Sequence, residues 1–422
     1  MILAAVAPEV WGQERLLPIR LGRVLFYPSV TLSSFWDDNV ENVNEEEPLN
    51  GPISSQVLGI QPALRFELLL RKSSAKLTYK GDFRDYSAQA LKDLGGASHF
   101  VHLDCHFEAA SRLRVDVAEH YVDAIAALLN AGVGGEFRYG TQPLKSNETH
   151  LVLGWDVGPI QSVEVGGIRN NTQFGAGPTA SFFSNYSSDS LFLHYVFSNG
   201  PQSQLYASLD FQSVNQTRLG QANLPNQYQT RSLGAGYRRA SSRDLTNEIR
   251  VEYSTANFKE GLGTPFRGVT LEADMSLRPT ATNQFQVRLR RAPLVSFFNS
   301  SGYFVNEMVV MNYGHALSRS LGIELSVGAQ NNVFSDAVQV ADSTDPLSPS
   351  EGRRRHDHIL VAGLSGVWHV SRSMDLNFGY RFDRARSNID AQCTLSKCFG
   401  ARYGVLDYDS RTVQVAAVLG WQ

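Results

Sequence analysis

The chain has 422 residues, of which 19% are charged and 10% aromatic, with a formal net charge of −3. This near-neutral balance lacks zinc-finger spacing, a phosphate-cradling glycine loop and a dinucleotide fingerprint, so neither a nucleic-acid partner nor a cofactor is expected. No run of 18 apolar residues occurs, which excludes a membrane-spanning helix but not a membrane barrel, whose strands need only about 9–11 residues, apolar at alternate positions.

Residues 1–7 are apolar and end Ala5-Val6-Ala7, the pattern expected of the tail of a secretory signal. Residues 1–21 are therefore set apart as a leader remnant or periplasmic extension, and 22–422 as one barrel. From there the dominant signal has period two. Leu58, Ile60, Leu64, Phe66 and Leu68 share one face of a segment whose other face carries Gln61, Arg65 and Glu67. The same alternation sets Val269, Leu271, Ala273, Met275 and Leu277 against Thr270, Glu272, Asp274, Ser276 and Arg278. It returns at Phe285, Val287 and Leu289, at Met374, Leu376, Phe378, Tyr380 and Phe382, and at Val413, Val415, Ala417, Leu419 and Trp421. A helix would scatter these residues around its surface; a strand sorts them onto two faces.

The expected strands span 24–36, 55–69, 75–86, 98–108, 113–124, 148–156, 161–172, 189–198, 203–214, 228–239, 245–257, 266–278, 283–297, 303–317, 321–334, 356–369, 374–386 and 409–421. Eight short connections, rich in Ser, Arg, Thr and Asn, alternate with longer polar segments such as 37–54, 215–227 and 334–355. Short periplasmic turns and long extracellular loops are the layout of a transmembrane antiparallel up-and-down β-barrel, placed in the bacterial outer membrane. About 18 strands are expected. The stretch 125–147 is ambiguous: Asp123 could cap a short helix over 124–129, or 135–139 could be strand, which would give 16 or 20. Aromatic residues near strand ends (Phe26, Tyr27, Phe35, Trp36, Tyr79, Phe83, Tyr121, Trp155, Trp368, Tyr380, Trp421) are expected in the two interfacial girdles.

Cys105 falls on an apolar face as a small hydrophobe, whereas Cys393 and Cys398 in a loop-like stretch are disulfide candidates in an oxidising compartment. The polar face is expected to line the lumen, with Lys80, Arg84, Arg114, Asp116, Arg250, Glu252, Glu272, Asp274, Arg288, Arg290, Glu324, Arg381 and Asp383 pointing inward, alongside Lys76, Asp82, Glu108, Asp210 and Glu248. Two readings stand open: a selectivity lining for a polar solute, or paired charges that stiffen the wall. His102, Asp104 and His106 share one strand face. Pairing across the 110–111 turn would place Asp116 and His120 opposite, with His102 and His120 about 5 Å apart at Cβ. A hydrated wall patch is the expectation there, and a divalent metal site at His102, Asp104 and His120 is the alternative. The run Arg353-Arg354-Arg355-His356-Asp357-His358 reads as a charged loop leading into a strand.

The stretch 24–39 (VLFYPSVTLSSFWDDN), with its Asp37-Asp38-Asn39 turn, resembles the opening of the β-barrel porin 2 family. Two later turns, HALSRSL at 315–321 and WHVSRSM at 368–374, are similar to that family's recurring turn. The resemblance implies an outer-membrane barrel associated with exopolysaccharide or capsule systems, and it brings no catalytic residues. Trp421 is penultimate here, where many barrels end on an aromatic. The expected function is a porin-like channel, accessory to surface polysaccharide export or passing small polar solutes, with outer-membrane lipid around it. The alternatives are a structural or adhesion barrel with an occluded lumen, and a lipid-modifying enzyme built on the barrel rim.

Overall fold

The computed structural model describes residues 18–40, 52–125, 143–175, 184–200, 202–218, 226–242, 245–259, 264–296, 303–338, 353–388 and 408–420. Within them nineteen strands form one sheet. In chain order they are β1 (Ile19–Leu21), β2 (Val24–Asp37), β3 (Ser55–Leu69), β4 (Ser73–Tyr86), β5 (Gly96–Ala110), β6 (Leu113–Ile125), β7 (Pro143–Gly158), β8 (Gln161–Phe174), β9 (Ser184–Ser198), β10 (Ser203–Arg218), β11 (Asn226–Ser242), β12 (Leu245–Phe258), β13 (Phe266–Thr280), β14 (Asn283–Val295), β15 (Tyr303–Ala316), β16 (Leu321–Val338), β17 (Arg353–His369), β18 (Met374–Ser387) and β19 (Tyr408–Gly420). Each strand from β2 to β18 pairs antiparallel with the next, and β19 pairs back onto β2, so β2–β19 close an eighteen-strand barrel. The all-β barrel and its count of 18 follow the sequence reading.

Closure has a physical cause. In hydrocarbon each unpaired backbone group costs several kcal/mol, so the sheet must leave no edge. The seam between β19 and β2 runs only from Thr412↔Asp37 to Gly420↔Ser29. Below it β1 takes up the same edge of β2, opposite Val24 to Phe26. Gly22 supplies the positive φ of 65° that the tight β1–β2 turn needs.

Alternation puts the apolar residues outside. Leu58, Ile60, Leu64 and Phe66 are exposed along β3, while Val57, next to Leu58, is fully buried on the inner side. Exposed Leu209, Leu233 and Tyr253 continue the band across β10–β12 at directly paired positions. At the tight-turn end, exposed Phe66, Phe107, Trp155, Phe197, Phe285 and Trp368 form one aromatic girdle; Trp36, Phe83, Phe211, Tyr253 and Tyr380 stand nearer the other end. Tyr27 and Phe35, expected in the girdles, point inward instead. They have the parity of Asp37 rather than of exposed Trp36 and Leu32, and Tyr27 lies under the Arg65 guanidinium at 3.9 Å. Cys105 shares the outer face with Leu103 and exposed Phe107 and is a free thiol, as its pattern suggested.

The strands run further at the loop ends than period two indicated: β7 begins at Pro143 and β9 at Ser184. Above the hydrocarbon the outer face has no need to be apolar, so the pattern fades while the hydrogen-bond ladder goes on. Outward-facing pairs there are polar, such as Lys145–Asp123 at 3.2 Å and Arg169–Asp189 at 3.8 Å. The helix expected over 124–129 does not start where proposed, because Asp123, Ala124 and Ile125 belong to β6. The rest of that stretch, 135–139, Cys393, Cys398, Trp421 and residues 1–17 lie outside the described residues.

Candidate functional site

The inner wall is identified by contacts that skip a strand. On the concave side of a barrel, side chains two strands apart approach each other wherever the strand between is bare. Tyr206 of β10 donates its hydroxyl to Glu248 of β12 at 2.9 Å, and Ser208 donates to Glu252 at 2.8 Å. The strand passed over, β11, carries Gly234 and Gly236 at those levels. A Cβ on Gly236 would stand 2.1 Å from the Tyr206 ring, and one on Gly234 would stand 2.3 Å from the Val251 carbonyl oxygen. Arg114 likewise crosses over Gly154 to reach Glu164 at 2.7 Å.

The charged residues named from the sequence lie on the same face as these contacts. Arg250 pairs with Glu272 at 2.8 Å and with Glu252 at 3.8 Å, and Arg288 pairs with Asp274 at 2.6 Å. Register sets them in two rows perpendicular to the strands: Arg238, Glu248, Asp274, Arg288, and beside it Arg250, Glu272, Arg290. Arg290 is buried within this field. Elsewhere Arg84 meets Asp82 at 2.8 Å, Arg114 meets Asp116 at 2.9 Å, and Arg381 meets Asp383 at 2.6 Å. Lys80 stands opposite Ala63 and exposed to the lumen, and Glu324 stands opposite Gly314 and Ser365. Neither has an ion pair among the described residues. Geometry therefore brings most of the predicted charges into pairs, while Lys76, Lys80, Asp210 and Glu324 stand in no ion pair among the described residues.

The strand expected from 356 begins earlier: the run 353–358 is the start of β17, and 353–355 is strand rather than loop. Arg355 and Asp357 face inward as an ion pair of 2.6 Å whose side chains are only 4% exposed. The guanidinium also lies 4.4 Å over the Phe334 ring, and Ser387 donates to Asp357 at 2.8 Å. His356 and His358 turn to the outer face, His358 between Asn331 and Arg386. A dense cluster of charges hides a strand whose inner face is polar and whose outer face already stands above the apolar band.

Several inner-wall groups were not singled out from sequence: His150 with Glu148 at 2.6 Å and His194 with Glu164 at 3.6 Å. Their signal was present as cation and carboxylate two residues apart, or directly opposite across a known pairing. The histidine cluster assembled as its register implied. His102 is directly opposite His120, and His106 opposite Asp116, with the latter two bonded at 2.6 Å.

The mouth at the loop end is lined differently. Val57, Tyr86 and Leu91 pack together there, Leu91 coming from a 3-10 helix over Gln89–Leu94. Val214, Tyr228, Ala256, Phe266 and Tyr303 form a second apolar cluster, and Ile359, Ala385 and Tyr408 a third.

No family model and no curated protein matches the chain. Solved structures of outer-membrane proteins are similar to it. One is the outer membrane protein opdK from Pseudomonas aeruginosa, at 11% identity over 94% of this chain and 99% of that one, with a TM-score of 0.44. Acinetobacter baumannii OccAB3 stands at 9% identity over 94% and 99%, with a TM-score of 0.48. Pseudomonas aeruginosa OccK2 (OpdF) in complex with glucuronate stands at 10% identity over 94% and 98%, also with a TM-score of 0.48. Functional weight rests on the barrel's own wall: a closed cylinder, apolar outside and charged inside, is the form of a protein that spans an outer membrane.

Proposed function

We propose that this barrel is a passive outer-membrane channel for small polar solutes, sorted by charge at the inner wall, and that its work is passage rather than catalysis. The observation that carries this reading is the arrangement of the lining. Paired rows fix most charges into the wall, while Lys80 and Glu324 stand outside those pairs and are free to meet a solute. A hydrated lumen at this strand number lets such charges remain ionised. Liposome swelling and single-channel recording on the refolded chain test it. Conductance is expected, with Lys80→Met moving ion preference toward cations and Glu324→Gln moving it toward anions.

The resemblance of 24–39 and of the 315–321 and 368–374 turns to the β-barrel porin 2 family supports a more specific placement, beside surface polysaccharide export. A deletion strain with reduced surface polysaccharide and otherwise normal solute uptake would bear that out; normal polysaccharide would remove it.

A second reading, a structural barrel with an occluded lumen, is favoured by the three apolar clusters at the mouth and by Leu91, which is fully buried in the one it forms with Val57 and Tyr86. A correctly folded barrel that never conducts would select it.

A further inference from the structure

Five neighbouring groups on β5, β6 and β7 form a second kind of site on the same wall. His102 and His120 are direct cross-strand partners, their rings 3.8 Å apart at the centroids and inclined by 40°. Asp104, two residues along β5 from His102, places Oδ2 at 2.7 Å from His102 Nε2. One ligand atom from each of His102, Asp104 and His120 lies within 4.8 Å of the others. On the next strand His150 follows, 5.9 Å ring to ring from His120, and Glu148 stands opposite His120.

Two imidazoles and one carboxylate are the donors that borderline divalent cations prefer, and three protein ligands with an open fourth position are the pattern of an exchangeable site. At metal–ligand bonds of about 2.0–2.1 Å, donor atoms around a tetrahedral ion sit about 3.3 Å apart. The His102–Asp104 contact would widen by less than about one ångström, by side-chain rotation alone. Both strands are already locked in register, and the donor atoms, within 4.8 Å of one another, reach that separation by side-chain rotation. The side chains of His102 and Asp104 are 41% and 47% exposed, which leaves the fourth position to lumen water. Lys76 stands opposite Asp104 on β4 and sets a positive flank, answered by Glu148 on the other side. Glu148 also holds His150 at 2.6 Å and accepts from Asn170 at 2.9 Å, which orients the further imidazole.

We propose that His102, Asp104 and His120 form a divalent transition-metal site on the lumen wall, taking Zn²⁺, Ni²⁺ or Cu²⁺ through two imidazoles, one carboxylate and water. The site stands whether or not the lumen conducts.

Calorimetric titration of the full, tag-free refolded chain with ZnCl₂ and NiCl₂ tests it, joined to electron paramagnetic resonance with Cu²⁺. One ion per chain is expected, with a copper spectrum carrying two-nitrogen coupling. His102→Ala/His120→Ala should abolish both signals. Asp104→Asn should weaken binding and keep the two-nitrogen signature. His315→Ala/His369→Ala, at the tight-turn end of the barrel, should change neither. Absence of saturable binding, binding unchanged in the His102/His120 variant, or equal loss in the His315/His369 control would overturn the proposal. Heat-modifiable migration of every variant on gels confirms that each is folded.

Discussion

Two residues along a strand span about 6.6 Å and share a face, a distance that an arginine or histidine and a carboxylate close between them. The inner wall uses this spacing repeatedly: Arg65–Glu67, Asp82–Arg84, His102–Asp104, Arg114–Asp116, Glu148–His150, Arg355–Asp357 and Arg381–Asp383. Such pairs were legible in the chain once faces were assigned; which of them are buried was not. Arg355 and Asp357 are the most enclosed, so Arg355→Ala should destabilise the barrel by about 3–5 kcal/mol, read as a lower urea midpoint in vesicles. Removing both with Arg355→Met/Asp357→Leu should recover most of that loss, because no lone charge then remains buried. At Gly234 a methyl group would meet the Val251 carbonyl oxygen, which cannot rotate away. Gly234→Ala is expected to cost roughly 1–3 kcal/mol in the same titration. Nothing in a single sequence marks Gly234 as special, since its role comes from side chains two strands apart.

An outer face in lipid is tested strand by strand. Leu233, at the centre of β11, is 62% exposed, whereas Thr217 sits at the loop end of β10 on the same face. Leu233→Arg should cost about 2–4 kcal/mol and Thr217→Arg about 0–1 kcal/mol, because the penalty for a charge falls from the bilayer midplane to the interface. Equal costs at the two positions would contradict the band. Cys105 gives an independent reading. In a Cys393→Ser/Cys398→Ser background reconstituted in bilayers, it should resist a water-soluble maleimide and react with a lipophilic one. Rapid labelling by the water-soluble reagent would place Cys105 in the lumen and invert the faces of β5 and β6, the histidine cluster with them. Element ends were read less well than element centres, as at Pro143, Ser184 and Arg353. Alternation marks a strand only where one side meets hydrocarbon, and these extensions have polar residues on both sides.

For the whole molecule, closure makes stability cooperative: no strand of β2–β19 has an edge to spare. Deleting 408–420 would expose the β2 edge from Ser29 to Asp37, and the truncated chain should fail to show heat-modifiable migration and be degraded by trypsin in the presence of vesicles. Retention of a folded, protease-resistant barrel would mean that the remaining strands reclose. By itself the sequence determined an all-β barrel of about 18 strands, the outward face of most of them, the ends at which short and long connections gather, and the opposition of His102 and His120. All of these follow from period two and from the fixed register that a tight turn imposes. Only the tertiary structure decided how far strands rise above the membrane, that 353–355 is strand, which charges are paired, and where glycines let side chains meet across a strand. Those features depend on the curvature of a closed sheet, which brings together residues that no local pattern relates.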